Sequence, residues 1–174
     1  PPAYTVEDVL QTAFDRLHAM EAEMARLAEQ MGADTDPALL RRYDALTAAF
    51  EAGGGYDTQT ELNKVCNGLE ISQDMRGQLF SSLSGGEKSL TTLAFIFSIQ
   101  HFIPAPFYAF DEVDMSLDGA NVERIAAMIK ELAPSSQFVI VSLRKPMIEA
   151  AERIMGVTIR PDKSTFVTGV KVNG

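Results

Sequence analysis

The sequence holds one cysteine, Cys66, and no tryptophan. A single thiol excludes an internal disulfide and any cysteine-based zinc cluster. The two histidines, His18 and His101, fall in helical stretches and read as surface or packing residues. Positive charge is short: 15 Lys+Arg stand against 24 Asp+Glu, a net charge of −9. Such a chain is a poor default binder of nucleic acid. No apolar run reaches the roughly 18 residues of a membrane span. The chain opens Pro-Pro-Ala-Tyr, with neither Met nor the charged start of a signal peptide. That opening is expected of a piece of something longer, and the expected location is cytoplasmic. No glycine is followed by lysine anywhere, so the G-x-x-x-x-G-K-[S/T] loop that cradles nucleotide phosphates is absent. What is present is globular in texture: 174 residues, 46% apolar and 22% charged. That composition fits one domain or two small lobes sharing a core.

The first stretch, to about Ser82, reads as helical. Thr5 with Asp8 three residues on is a helix start. Apolar residues follow at Leu10, Ala13, Leu17, Met20, Met24, Leu27 and Met31, with gaps alternating three and four, a heptad seam. Gly32 marks a stop, and Asp36-Pro37 opens a second helix with Pro at its first position. The second seam is Leu39, Tyr43, Leu46 and Phe50, closed by Gly53-Gly54-Gly55. Two helices so joined are expected to pair as a hairpin. A third helix is expected over Asp57 to Asn67, burying Leu62, Val65, Cys66 and Leu69. From Leu83 onward helix and strand alternate. Ser84 to Phe102 is an apolar helix expected to be buried on most sides. Phe107–Phe110 and Gln137–Val141 read as buried strands around a helix over Asn121 to Leu132. A helix over Pro146 to Ile154 and a terminal strand pair, Val157–Ile159 with Thr165–Val172, complete the order. Helix between apolar strands predicts an α/β fold with a mostly parallel sheet.

Three motifs carry chemistry. Leu83-Ser84-Gly85-Gly86-Glu87-Lys88 contains a capping box, Ser84 with Glu87, and by itself that describes a well-capped helix. Its two glycines lower helix propensity but bare backbone N–H groups at the positive end of the helix, where a phosphate can approach. Phe107-Tyr108-Ala109-Phe110-Asp111-Glu112 ends an apolar strand in two acids. At the carboxyl end of a parallel strand an Asp can hold Mg2+ and a neighbouring Glu can orient or deprotonate water; a solvated acidic turn explains the same residues equally well. Asp118, in Asp114-Met115-Ser116-Leu117-Asp118, fits a plain helix N-cap.

Taken in order, LSGGEK, about twenty residues of helix, an apolar strand ending in DE, and S-L-D resemble the signature motif, Walker B strand and D-loop of ATP-binding-cassette ATPases. LSGGEKSLTTLAFIFSIQ, PAPFYAFDEVDMSLDGANVERIAAMI and QFVIVSLRKPMIEAAERIMGVTI resemble the C-terminal head segment of SMC chromosome-segregation ATPases. The resemblance implies that Ser84, Gly85, Gly86 and Glu87 approach ATP held by an opposite head. It further implies that Asp111 serves Mg2+, that Glu112 is the catalytic carboxylate, and that Asp118 lies at the dimer seam. One departure stands out: Leu143 occupies the position of the usual switch histidine. Residues 1–82 resemble instead the helical subdomain of ABC-F ATPases, on FEAGGGYD, NGL and their distance to LSGGEK.

The expected organisation is therefore a helical subdomain, 1–82, and an α/β ATPase lobe, 83–174, together a partial P-loop ABC ATPase fold lacking the Walker A lobe. The expected function is the C-terminal half of an ATP-hydrolysing head. ATP and Mg2+ are expected only with a Walker A-bearing partner, an N-terminal head segment or a second head. A homodimer through an exposed sheet edge is a further expected association. The alternative is a chimeric scaffold of two ABC subdomains, joined at the shared LSGGEK and inactive alone. Contact with RNA through the hairpin is the weakest reading, because Arg16, Arg26, Arg41 and Arg42 are offset by Asp15, Glu21, Glu23, Glu29 and Asp44.

Overall fold

The computed structural model describes residues 3–33 and 36–172. The chain ends 1–2 and 173–174, residues 34–35 of the expected inter-helix loop, and the side chains of Ala33 and His101 lie outside the described residues. The chain divides into two compact units, at Ala105 and Pro106.

The first unit is helical. Thr5 starts α1 (Val6–Gln11) with a reciprocal capping box: the Asp8 N–H donates to Thr5 Oγ1 at 3.1 Å and the Thr5 N–H to Asp8 Oδ2 at 2.9 Å. A 3-10 turn, Thr12–Phe14, interrupts the expected long helix before α2 (Asp15–Ala33). Thr12 Oγ1 donates to the Val9 carbonyl at 2.6 Å, the back-bonding that bends helices at Thr. The turn carries Phe14 inward, where its ring meets Phe102 edge-on at 5.2 Å. Of the expected seam, Leu10, Leu17 and Leu27 are buried, while Met20, Met24 and Met31 are half-buried. Asp36 caps α3 (Pro37–Ala52), accepting from the Ala38 N–H at 2.8 Å, with Pro at the helix start. α2 and α3 pack on each other, and Arg42 reaches Glu23 across the pair at 2.7 Å.

The glycine run after α3 is dictated by contact. Gly54 takes a left-handed φ of 70°, a region glycine enters without steric cost. A Cβ on Gly55 would sit 2.3 Å from the Phe50 ring. The chain then enters α4 (Thr58–Gly68), which buries Leu62, Val65 and Cys66. Burial holds the Cys66 thiol above its ordinary pKa. A short α5 (Gln73–Arg76) precedes α6 (Gly85–Phe102). α6 is apolar nearly all round and packs on α1, α4 and the 3-10 turn. The first unit therefore runs beyond the expected boundary at residue 82, because the helix that follows that boundary is part of the helical core.

The second unit holds β1 (Phe107–Asp111), α7 (Gly119–Leu132), β2 (Gln137–Val141), α8 (Lys145–Ala150), β3 (Arg153–Ile159) and β4 (Thr165–Lys171). β1 and β2 pair in parallel, Phe107 opposite Gln137 through Asp111 opposite Val141, with α7 as the crossover. β3 and β4 form an antiparallel hairpin around a turn in which Asp162 accepts from the Ser164 N–H at 2.9 Å and Lys163 has a φ of 64°. Among the described residues the strands form these two pairs, so the mostly parallel sheet expected from the sequence is half parallel and half antiparallel. The helix expected to reach Ile154 stops at Ala150, and Arg153 and Ile154 join the hairpin ladder. β1 and β2 were expected to be buried. Instead one face packs Tyr108 on Phe138, stacked at 5.3 Å, with Phe110 beside them. The other face leaves Phe107, Val139 and Val141 exposed.

Candidate functional site

The first candidate element is the start of α6. Ser84 is its N-cap, extended at φ −63° and ψ 166°. The Glu87 N–H donates to Ser84 Oγ at 3.3 Å, and the Glu87 carboxylate accepts from the Ser84 N–H at 2.8 Å and from Ser84 Oγ at 2.6 Å. These bonds to Ser84 hold the Glu87 carboxyl below its ordinary pKa. The predicted capping box is thus present in full, and Glu87 acts on the serine. A Cβ on Gly85 would meet nothing within 4 Å. Packing does not demand glycine there, and the N–H groups of Gly85 and Gly86, at the very start of the helix, have no carbonyl four residues back within it. Those donors at the positive end of an 18-residue helix suit a phosphate.

The second element is the carboxyl end of β1. Asp111 closes the strand, and Glu112 follows with a left-handed φ of 50°, which a residue with a side chain adopts only under constraint. Its N–H donates to the Val141 carbonyl at 2.9 Å, and its carbonyl accepts from the Met115 N–H at 3.2 Å. Both carboxylates are exposed. Among the described residues no three His, Cys, Asp or Glu side chains gather as a metal cage. One strand-end carboxylate fits Mg2+, which keeps several waters and is bound with substrate phosphates rather than by an all-protein cage. Asp118 N-caps α7, its Oδ1 accepting from the Asn121 N–H at 2.8 Å, so the plain reading of this residue is realised whatever else it does. β1 brings Asp111 and Glu112 side by side, and a short turn of the same unit carries Asp118.

Two residues escaped the sequence reading. Asp114 is a carboxylate with 1% of its surface exposed, and it accepts a hydrogen bond from the Ser142 hydroxyl. Ser142 Oγ accepts in turn from the Arg144 N–H at 3.0 Å. The one available signal was an acid two residues past a strand-end pair, indistinguishable in sequence from turn polarity. Leu143, at the switch position, is 91% exposed.

A helix start with glycines behind its capping serine and a parallel strand ending in an acid pair sit in a mixed α/β fold of the ATP-binding-cassette head kind. The family model described as "RecF/RecN/SMC N terminal domain" matches residues 7–165, and the chain belongs to that family. It is 45% identical over 146 residues to the chromosome partition protein Smc of Synechocystis sp., covering 80% of this chain and 12% of that protein. It is 38% identical over 175 residues to the Smc of Synechococcus sp., covering 92% of this chain and 15% of that protein. The chain thus spans about an eighth of these relatives' length. Among solved structures, it is similar to an Smc head domain with an extended coiled coil from Pyrococcus furiosus, at 26% identity and a TM-score of 0.59 over 95% of this chain and 56% of that one. The family match runs unbroken through residue 82. One family accounts for both sides of the expected seam, and the two-family reading of the sequence is set aside.

Proposed function

We propose that this chain is the C-terminal half of an ATP-hydrolysing head in a chromosome-partition ATPase. The observation that carries the reading is the exposed pair at the end of β1, with Glu112 held in a left-handed backbone. In this reading the start of α6, Ser84, Gly85 and Gly86, is offered to the γ-phosphate of ATP bound on an opposite head, and Glu87 keeps the Ser84 hydroxyl oriented through the capping box. Asp111 would hold Mg2+, which would supply positive charge against the phosphates. Glu112 accepts the proton of the attacking water. Asp118 caps α7 and stands at the seam between heads.

The absent G-x-x-x-x-G-K-[S/T] supports a requirement for a Walker A-bearing partner. The exposed apolar face of β1 and β2 supports a lobe that packs there. A related head structure is described as bound to the C-winged helix domain of ScpA, and another study describes ATP-driven dimerization of SMC ATPases; partners of both kinds are proposed here.

The test is to mix the chain with the N-terminal head segment of a related Smc and measure phosphate release. Turnover is expected only in the mixture, and Glu112→Gln is expected to lower it by about a hundredfold or more. No turnover in the mixture, or turnover that survives the substitution, overturns the reading.

A further inference from the structure

We infer that Asp114 and Ser142 are a pair of positioning residues that hold the turn bearing Glu112, an inference that rests on Glu112 being the catalytic carboxylate. The turn is tied to two consecutive residues, Val141 at the end of β2 and Ser142 just after it. Glu112 is bound through its backbone, N–H to the Val141 carbonyl at 2.9 Å. Asp114 is bound through its side chain, which receives the hydroxyl proton of Ser142. Ser142 is itself fixed by the Arg144 N–H, so the hydroxyl has a set direction. Within the turn, the Met115 N–H donates to the Glu112 carbonyl and the Leu117 N–H to the Asp114 carbonyl, each at 3.2 Å.

The physical need for such ties is specific to this turn. A left-handed φ of 50° at a glutamate relaxes toward the ordinary regions unless its surroundings over-determine it. A carboxylate as buried as Asp114 is stable only while donors satisfy it. Removing the Ser142 hydroxyl frees that carboxylate to seek water, and the turn leaves with it. The polar contact at the segment after β2 is therefore made by Ser142, while its neighbour Leu143 points into solvent. The segment is coupled to the water-activating residue through the protein.

Ser142→Ala and Ser142→Thr test this with two readouts. In the reconstituted mixture, Ser142→Ala is expected to lower kcat by about tenfold or more while the KM for ATP stays within about twofold, because misplacing a reacting group costs rate rather than binding. Ser142→Thr, which restores the hydroxyl, is expected to recover most of the rate. In the chain alone, amide exchange at Glu112 and Met115 is expected to quicken by about tenfold in Ser142→Ala and to slow again in Ser142→Thr, with α7 unchanged. An unchanged kcat, a threonine no better than alanine, or exchange that does not respond overturns the inference. A mixture in which the parent chain shows no turnover counts against the proposed function, and the exchange measurement still decides the pairing.

Discussion

Arg76 is a guanidinium with 6% of its side chain exposed. It donates to both oxygens of Glu7, 69 residues away in sequence, and through Nη1 to Asn63 Oδ1 at 2.8 Å. The hydrogen bonds from Arg76 lead in holding the Glu7 carboxyl below its ordinary value; partial burial opposes them, and a hydrogen bond from Gln11 and the Arg76 charge add to them. The sign follows from linkage. A lowered folded-state pKa gives stability that is complete above the unfolded value of about 4.3 and is lost as the pH falls through the folded value. Urea midpoints of the parent chain are therefore expected to fall below about pH 4.5, and Glu7→Gln is expected to flatten that dependence. At neutral pH Glu7→Gln is expected to cost about 2–3 kcal/mol, near the lower edge for breaking a buried pair because Glu7 itself is partly exposed. A substitution that retained parental stability at pH 7 would show that the pair merely compensates its own desolvation. Neither partner was singled out in the sequence. Ion pairs between distant positions have no local signature, whereas Ser84 with Glu87 and Thr5 with Asp8 could be read directly, since a capping box is a three-residue pattern.

Elements were legible where period and punctuation agreed. Both helical seams, the Asp36-Pro37 start and the third helix follow the expected residues closely. The break at Thr12–Phe14 was not legible, because a heptad seam continues across it and the bend is rewarded by tertiary contact, that of Phe14 with Phe102 among it. Phe14→Ala is expected to destabilise the helical unit by about 3–5 kcal/mol, the range for removing a buried ring, measurable by denaturant titration. The joint between α3 and α4 makes a sharper test. Gly55→Ala would drive a methyl into the Phe50 ring and is expected to cost about 1–3 kcal/mol; Gly85→Ala, with open space around it, is expected to stay within about 1 kcal/mol of the parent. Equal effects at the two glycines would contradict the packing described. The strand end at Asp111 was legible from its apolar run, but its neighbours were not. Parallel pairing is a long-range event, and a strand's sequence does not say how many partners it has.

At the scale of the whole molecule, charge and apolar surface pull in opposite directions. A net charge of −9 favours dispersed chains. Exposed Phe107, Val139 and Val141 on one sheet, and Met155, Val157, Ile159, Val167 and Val170 on the hairpin, favour association. The expected outcome is concentration-dependent self-association that strengthens with added salt as repulsion is screened, read by sedimentation. Val139→Lys is expected to weaken it, and a sharp monomer boundary at all salt concentrations would contradict this. Two of the four hairpin arginines, Arg26 and Arg42, are engaged by Glu23.

The isolated bridge between Thr5 and Leu79 has a consequence of another kind. Its two bonds, Val6 N–H to the Gln78 carbonyl and Phe80 N–H to the Tyr4 carbonyl, are each 2.9 Å long. Opposed residues in such a pair stand about 4.5 Å apart at their Cα atoms. Everything between them therefore departs and returns through one narrow gate, just ahead of the start of α6. A segment anchored this way is topologically a loop on a fixed stem, and loops on fixed stems tolerate changes of length. α1, the 3-10 turn and α4 pack on α6 within that stem, so shortening the far end of the α2–α3 hairpin by whole helical turns is expected to leave the serine that caps α6 in place.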